Sequence, residues 1–142
     1  MRESVQLKDE AGRLAAHFYL PQGTVPFPGV ILCHGITSCK DNYVDLAEFL
    51  RSEGFAMLAY DCRGHGESEG ALDSGAWQDV GAALAYLQKR SEVDAERLAL
   101  VGASMGAYNG LYAAAEYPAL RTVVAFCTAP GAELKAALLS AD

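Results

Sequence analysis

A chain of 142 residues, 51% of them apolar and 20% charged, has the size of one compact core and too much apolar content to remain unfolded. Eighteen acidic residues against eleven basic ones leave a formal charge of −7, which repels phosphate backbones and anionic lipid surfaces, so nucleic acid and membrane are excluded as partners. Residues 1–10 hold no long apolar run on which to draw a secretory signal or a spanning helix, and the four cysteines form no CxxC pair, which fits reduced thiols in a cytoplasmic protein.

Residues 5–8 and 14–20 alternate in polarity on either side of Asp9-Glu10-Ala11-Gly12, the pattern of a hairpin with a glycine in its turn. The proline-bearing stretch 21–28 breaks that pattern. A continuous apolar run at 29–33 comes next, then a polar loop, then residues 43–53 with Val44, Ala47 and Leu50 on one helical face and Gly54 placed to end the helix. The run 55–60 reads as another buried strand, and residues 74–90 carry Trp77, Val80, Leu84 and Leu87 at helical spacing with Ser74 as N-cap. The run 98–101, a helix over 105–117 stopped by Pro118, and the run 122–126 complete the series. Short apolar runs of this kind suit strands covered on both faces of a parallel sheet. Their alternation with helices predicts one α/β domain over residues 1–142, mostly parallel, with an antiparallel hairpin at its start and helices on both faces.

Chemistry enters at the ends of these strands. Gly102-Ala103-Ser104-Met105-Gly106 follows one strand and opens a helix. A turn that tight holds its serine in a strained conformation, and glycines two residues to either side remove the collisions side chains would make. It also points Ser104 Oγ away from the sheet and leaves the Met105 amide at a helix N-terminus, where negative charge is stabilised. Cys33-His34-Gly35-Ile36 follows the earlier strand, and Asp61-Cys62-Arg63-Gly64-His65-Gly66-Glu67-Ser68 follows the next. A zinc reading of Cys33, His34, Cys62 and His65 is set aside because their spacing matches no zinc ligand pattern. A nucleotide site is set aside because His34-Gly35-Ile36-Thr37 is not GxGxxG and no Walker lysine occurs.

These three motifs, in this order, resemble the α/β-hydrolase superfamily, in particular its serine aminopeptidase-like and feruloyl or acyl esterase-like branch. The resemblance runs from the first hairpin to the strand at 122–126. It implies a sheet with Ser104 at its carboxyl edge as nucleophile, and backbone amides of Ile36 and Met105 as the oxyanion donors. It gives His34, Gly35, Gly102, Gly106, Asp61, Arg63 and His65 structural roles near the site. His17 is expected to pack or to face solvent. The implied reaction is hydrolysis of a carboxylic ester, thioester or amide through an acyl-enzyme, on a small-molecule acyl substrate and with no cofactor or metal. The loops 37–43 and 66–71 are the candidate walls of the substrate site.

The family order is serine, acid, histidine, yet all three histidines precede position 66 and the acids after Ser104 are Glu116, Glu133 and Asp142. Triad acid and base are therefore expected to be absent from this chain, with the family's sheet truncated after the sixth strand and little turnover by the chain alone. Leu134, Leu138 and Leu139 are expected to begin a further helix or cap. The apolar strand 122–126 would then be an uncovered edge, open to self-association or to a complementing chain. A non-catalytic hydrolase-like module that binds a small acyl ligand or a partner remains the alternative.

Overall fold

The structure is a computed structural model that describes residues 1–126 apart from Ala11. Six strands form one sheet: β1 (Arg2–Asp9), β2 (Gly12–Tyr19), β3 (Phe27–Cys33), β4 (Ala56–Tyr60), β5 (Val93–Ala103) and β6 (Leu120–Phe126), in the order β1-β2-β4-β3-β5-β6. β1, β2 and β4 pair antiparallel, whereas β4, β3, β5 and β6 run parallel. Three helices connect the parallel strands: α1 (Val44–Ser52), α2 (Asp79–Gln88) and α3 (Met105–Glu116). The expected α/β sheet with its leading hairpin is the one that forms.

The pleat explains why the buried strands read as unbroken apolar runs. Along β3, Ile31 and Cys33 join a cluster with Phe18, Leu58, Leu100 and the inner residues of α2 and α3, namely Val80, Leu84, Leu87, Met105 and Ala113. Val30 and Leu32 point the other way, toward Met57, Ala59 and Ala47 of α1. Both faces are covered by helices, so neither face of the strand can be polar. At the carboxyl end of this central pair, Cys33 of β3 stands opposite Gly102 of β5.

α1 ends as its sequence predicts. Gly54 adopts φ 91°, Gly54 N–H donates to Arg51 O and Phe55 N–H to Leu50 O, both at 3.1 Å, which is a Schellman closure. Other boundaries differ from expectation. The 74–90 helix begins with a 3-10 turn at Ala76–Gln78, and Ser74 caps nothing; Asp73 Oδ1 instead takes the Gly75 N–H at 2.8 Å. Lys40–Tyr43 is a 3-10 turn ahead of α1. β5 starts at Val93, five residues ahead of the run 98–101, because its first residues pair with Phe27 and Pro28 before the register shifts at Gly29.

On β6, Val124 and Phe126 are 46% and 42% exposed. No helix among the described residues is long and apolar enough to cross a membrane. The expected stripe Leu134, Leu138 and Leu139, and the acids Glu133 and Asp142, lie outside the described residues.

Candidate active site

Ser104 sits between the last residue of β5 and the first of α3 with φ 51° and ψ −116°. Among the described residues it is the one non-glycine at positive φ, a conformation that costs on the order of 1–3 kcal/mol and persists only where packing enforces it. The packing is visible. A Cβ on Gly102 would overlap Gly106 O, and one on Gly106 would overlap Cys33 O, so strand, turn and helix approach as only glycine allows. Ser104 N–H donates to Phe126 O at 3.0 Å, and Ser104 O accepts the Tyr108 N–H at 3.1 Å, the first bond of the helix. The Ser104 side chain makes no cap bond.

The motif after β3 arrives beside this turn. A methyl group added at Gly35 would lie 3.5 Å from both Ala103 O and Ser104 Cβ. Ser38 N–H donates to Gly35 O at 3.0 Å and closes the loop into a turn. The Ile36 side chain is exposed.

His34 and His65 are spoken for. Cys62 N–H donates to His34 Nε2 at 3.0 Å, which leaves Nδ1–H to donate to Gly35 O at 2.7 Å. Burial holds the His34 pKa below the ordinary histidine value, against the opposing pull of its bond to Gly35, in keeping with a neutral ring that accepts an amide. His65 Nε2 lies 2.9 Å from Ile36 O and Nδ1 3.1 Å from Arg63 O. Carbonyls only accept, and a neutral imidazole carries a single N–H, so in that form the ring donates to one of these two carbonyls at a time. The two rings meet edge to face with centroids 5.1 Å apart. His17 packs, one of the two expected outcomes: it is buried, with Nε2 2.9 Å from Asp41 Oδ1.

The segment after β4 is a folded clamp. Asp61 is fully buried and accepts from Lys40 N–H at 2.7 Å, Lys40 Nζ at 2.9 Å and Glu67 N–H at 3.0 Å. Arg63 donates N–H and Nε–H to the buried Asp79 at 2.7 Å each. Gly64 and Gly66 take φ 72° and 52°. Ser68 Oγ donates to Asp61 O at 2.6 Å and accepts the Ala15 N–H at 2.9 Å, stitching the clamp to β2. Asp61 and Arg63 are thus buried and hold loops together. Sequence reading missed Lys40 and Asp79. Asp79 leaves a faint signal, an acid beside the apolar stripe begun by Val80; Lys40 leaves none.

Beneath the loops, Cys33 Sγ lies 3.1 Å from Tyr60 Oη and 3.8 Å from Cys62 Sγ. The Cys62 pKa is pushed well above its ordinary value by the contact with Cys33 and by burial, and the Tyr60 pKa by burial first, so both groups stay protonated. With both His34 nitrogens already bonded within the protein, the four residues Cys33, His34, Cys62 and His65 do not converge as ligands.

Comparison with known proteins agrees with the fold. The model of one family, described as the alpha/beta hydrolase fold, matches residues 28–142. The quorum-quenching protein AidA of Acinetobacter baumannii is 30% identical over 129 residues, covering 87% of this chain and 42% of its own length. Among solved structures, XC6422 of Xanthomonas campestris, described as an a/b serine hydrolase without lid, superposes with a TM-score of 0.74 at 26% identity, covering 87% of this chain and 60% of that one. The esterase Pf2001 of Pyrococcus furiosus superposes with a TM-score of 0.77 at 25% identity, covering 90% and 49%. The chain spans about two fifths of the length of the curated relatives it matches.

Proposed function

Because the chain belongs to the α/β-hydrolase fold family, we propose that it carries the nucleophile and oxyanion half of a serine hydrolase acting on carboxylic esters, thioesters or amides. Ser104 Oγ attacks the carbonyl carbon, and the developing oxyanion is held by the main-chain N–H groups of Ile36 and Met105. The tetrahedral intermediate collapses by expelling the alcohol, thiol or amine, which takes up a proton, and leaves the acyl group on Ser104 for water to remove. The observation that carries this reading is the backbone of Ser104, strained at the carboxyl end of a central parallel strand and at the N-terminus of α3. An esterase and a serine hydrolase among the similar structures support it.

The proton acceptor is supplied from elsewhere. All three histidines precede position 66; His34 and His65 have their ring nitrogens engaged with backbone groups, and His17 pairs with Asp41. A continuation of the chain or a second polypeptide brings acid and histidine. Loss of the base leaves such sites with only oxyanion and binding contributions, about 10³- to 10⁴-fold over water. A fluorophosphonate probe tests both claims. We expect slow labelling of the 142-residue chain, fast labelling when strands carrying acid and histidine are supplied, and none in Ser104→Ala. Rapid labelling of the chain alone would place the base within it, and labelling that survives Ser104→Ala would end the nucleophile assignment.

One observation favours a second reading, that the chain docks on another polypeptide through β6: Val124 and Phe126 stand exposed on that strand, on the face of the sheet away from α3. Sedimentation should then show association that depends on concentration and weakens in Val124→Lys with Phe126→Lys. A strict monomer at all concentrations counts against it.

A further inference from the structure

The segment leaving β3 is strapped to the segment leaving β4 at three places. Cys62 N–H bonds His34 at 3.0 Å, the His65 ring bonds Ile36 O at 2.9 Å, and Lys40 N–H bonds Asp61 at 2.7 Å. The last strap differs in kind because it is reinforced by charge. The Lys40 side chain is only 2% exposed, and its ammonium meets Asp61 Oδ2 at 2.9 Å and Glu67 Oε2 at 2.6 Å, with Asp41 at 3.6 Å. Burial works against this ammonium, but the bonds to Glu67 and Asp61 outweigh it and its pKa rises. The Asp61 carboxylate packs directly against the backbone of Gly66, where a Cβ would overlap it.

A buried ion pair is a poor device for stability by itself, since two apolar side chains of like volume hold segments together without the desolvation cost. What it adds is direction. One residue gives both its backbone N–H and its ammonium to the same carboxylate, and the ammonium must also reach a second acid on the loop beyond. That fixes the position and the orientation of residue 40, while His34 fixes the other end of the loop that carries Ile36. We propose that Lys40 is a positioning residue, holding the 35–39 loop so that the Ile36 N–H stays in place beside the Ser104 turn. Lys40 acts through Asp61 and touches no substrate. The purpose assigned to the loop rests on the proposed roles of Ser104 and Ile36; the mechanical claim does not.

The test uses the whole 142-residue chain, labelled with ¹⁵N, and compares it with Lys40→Met. Relaxation dispersion and order parameters are read at Gly35, Ile36 and Ser38, with Leu58 and Leu100 in the central strands as references. Loss of order confined to 35–38, with Leu58 and Leu100 unchanged, is the expected result. A loop as rigid as in the parent overturns the proposal, and so does loosening of loop and sheet together. Should Lys40→Met fail to fold, Glu67→Gln decides, since it removes one carboxylate from the ammonium at a side chain 75% exposed; a smaller loss of order at the same three residues is expected, and none at all overturns the proposal. In a second arm, phosphonylation of Ser104 should slow about ten- to hundredfold in the loosened variant, the effect of a small misplacement. A labelled parent whose rate is unchanged in that variant overturns the positioning role. A parent that never labels at Ser104 refutes the nucleophile reading and leaves the loop result standing, so the two failures are distinguishable.

Discussion

Substituting Gly106 by alanine tests whether strand, turn and helix are packed as tightly as the site requires. An alanine inside a helix ordinarily gains about 0.5–1 kcal/mol over glycine. Here the added methyl group would overlap the Cys33 carbonyl and meet His34 O at 2.8 Å, where ordinary contact begins at 3.4 Å. Both obstacles are backbone, at the end of a strand hydrogen-bonded on both sides, so neither yields by a rotamer change. Overpacking against such walls costs about 1–3 kcal/mol. Set against the helix gain, a net loss of about 1 kcal/mol lowers the melting temperature of a chain this size by roughly 2–4 °C. Gly110→Ala on the same helix is the control: its methyl group meets only side chains, those of Leu100 and Val123, and it should cost less. Thermal unfolding followed by circular dichroism measures both, and the phosphonate rate should fall further in Gly106→Ala because the yielding backbone belongs to the His34–Ile36 loop. If Gly106→Ala melts at or above the parent temperature, the close approach of α3 to β3 is wrong and the strained turn with it.

Two further outcomes stem from buried charge. Asp79→Ala leaves the buried Arg63 guanidinium and the Arg63 backbone N–H without the carboxylate that accepts one bond from each, and should cost about 3–5 kcal/mol in urea unfolding; a loss below about 1 kcal/mol would mean that Asp73, 3.3 Å from Arg63, is sufficient. The His34 pKa is lowered in the folded state by burial, so below about pH 6.5 the unfolded chain binds a proton that the folded chain refuses. Stability should therefore fall as pH drops from that value toward the depressed one, a slope absent from His34→Gln; an equal slope in both would assign the effect to another group.

The hairpin, the buried strands and the helices were legible because each obeys one period and some are closed by a glycine or proline, as α1 is by Gly54 and α3 by Pro118. Where the reading slipped, distant partners decided. Ser74 looked like a cap, but Asp73 takes the free N–H and Arg63 draws Asp79 inward, so the helix starts later. The start of β5 was hidden because Asp94, Glu96 and Arg97 satisfy one another locally and interrupt the apolar run. The serine turn was legible from two glycines whose spacing has a steric cause. Lys40 was not, because a lysine in a polar loop reads as solvated, and its partner at position 61 lies beyond a helix and a strand.

The pairing of Cys33 with Gly102 across β3 and β5 is the base from which the two proposed oxyanion amides are built. Ile36 and Met105 each lie three residues past that pair, so the ladder fixes where both segments start and the strapped loop and the serine turn do the rest. Neighbouring strands keep a spacing of about 4.8 Å whatever side chains they carry. Deleting one residue from either strand would throw the two amides out of step and turn a whole row of side chains inside out. Change in this family member is thus constrained twice, by the straps that hold the loops above the sheet and by the arithmetic of its two central strands.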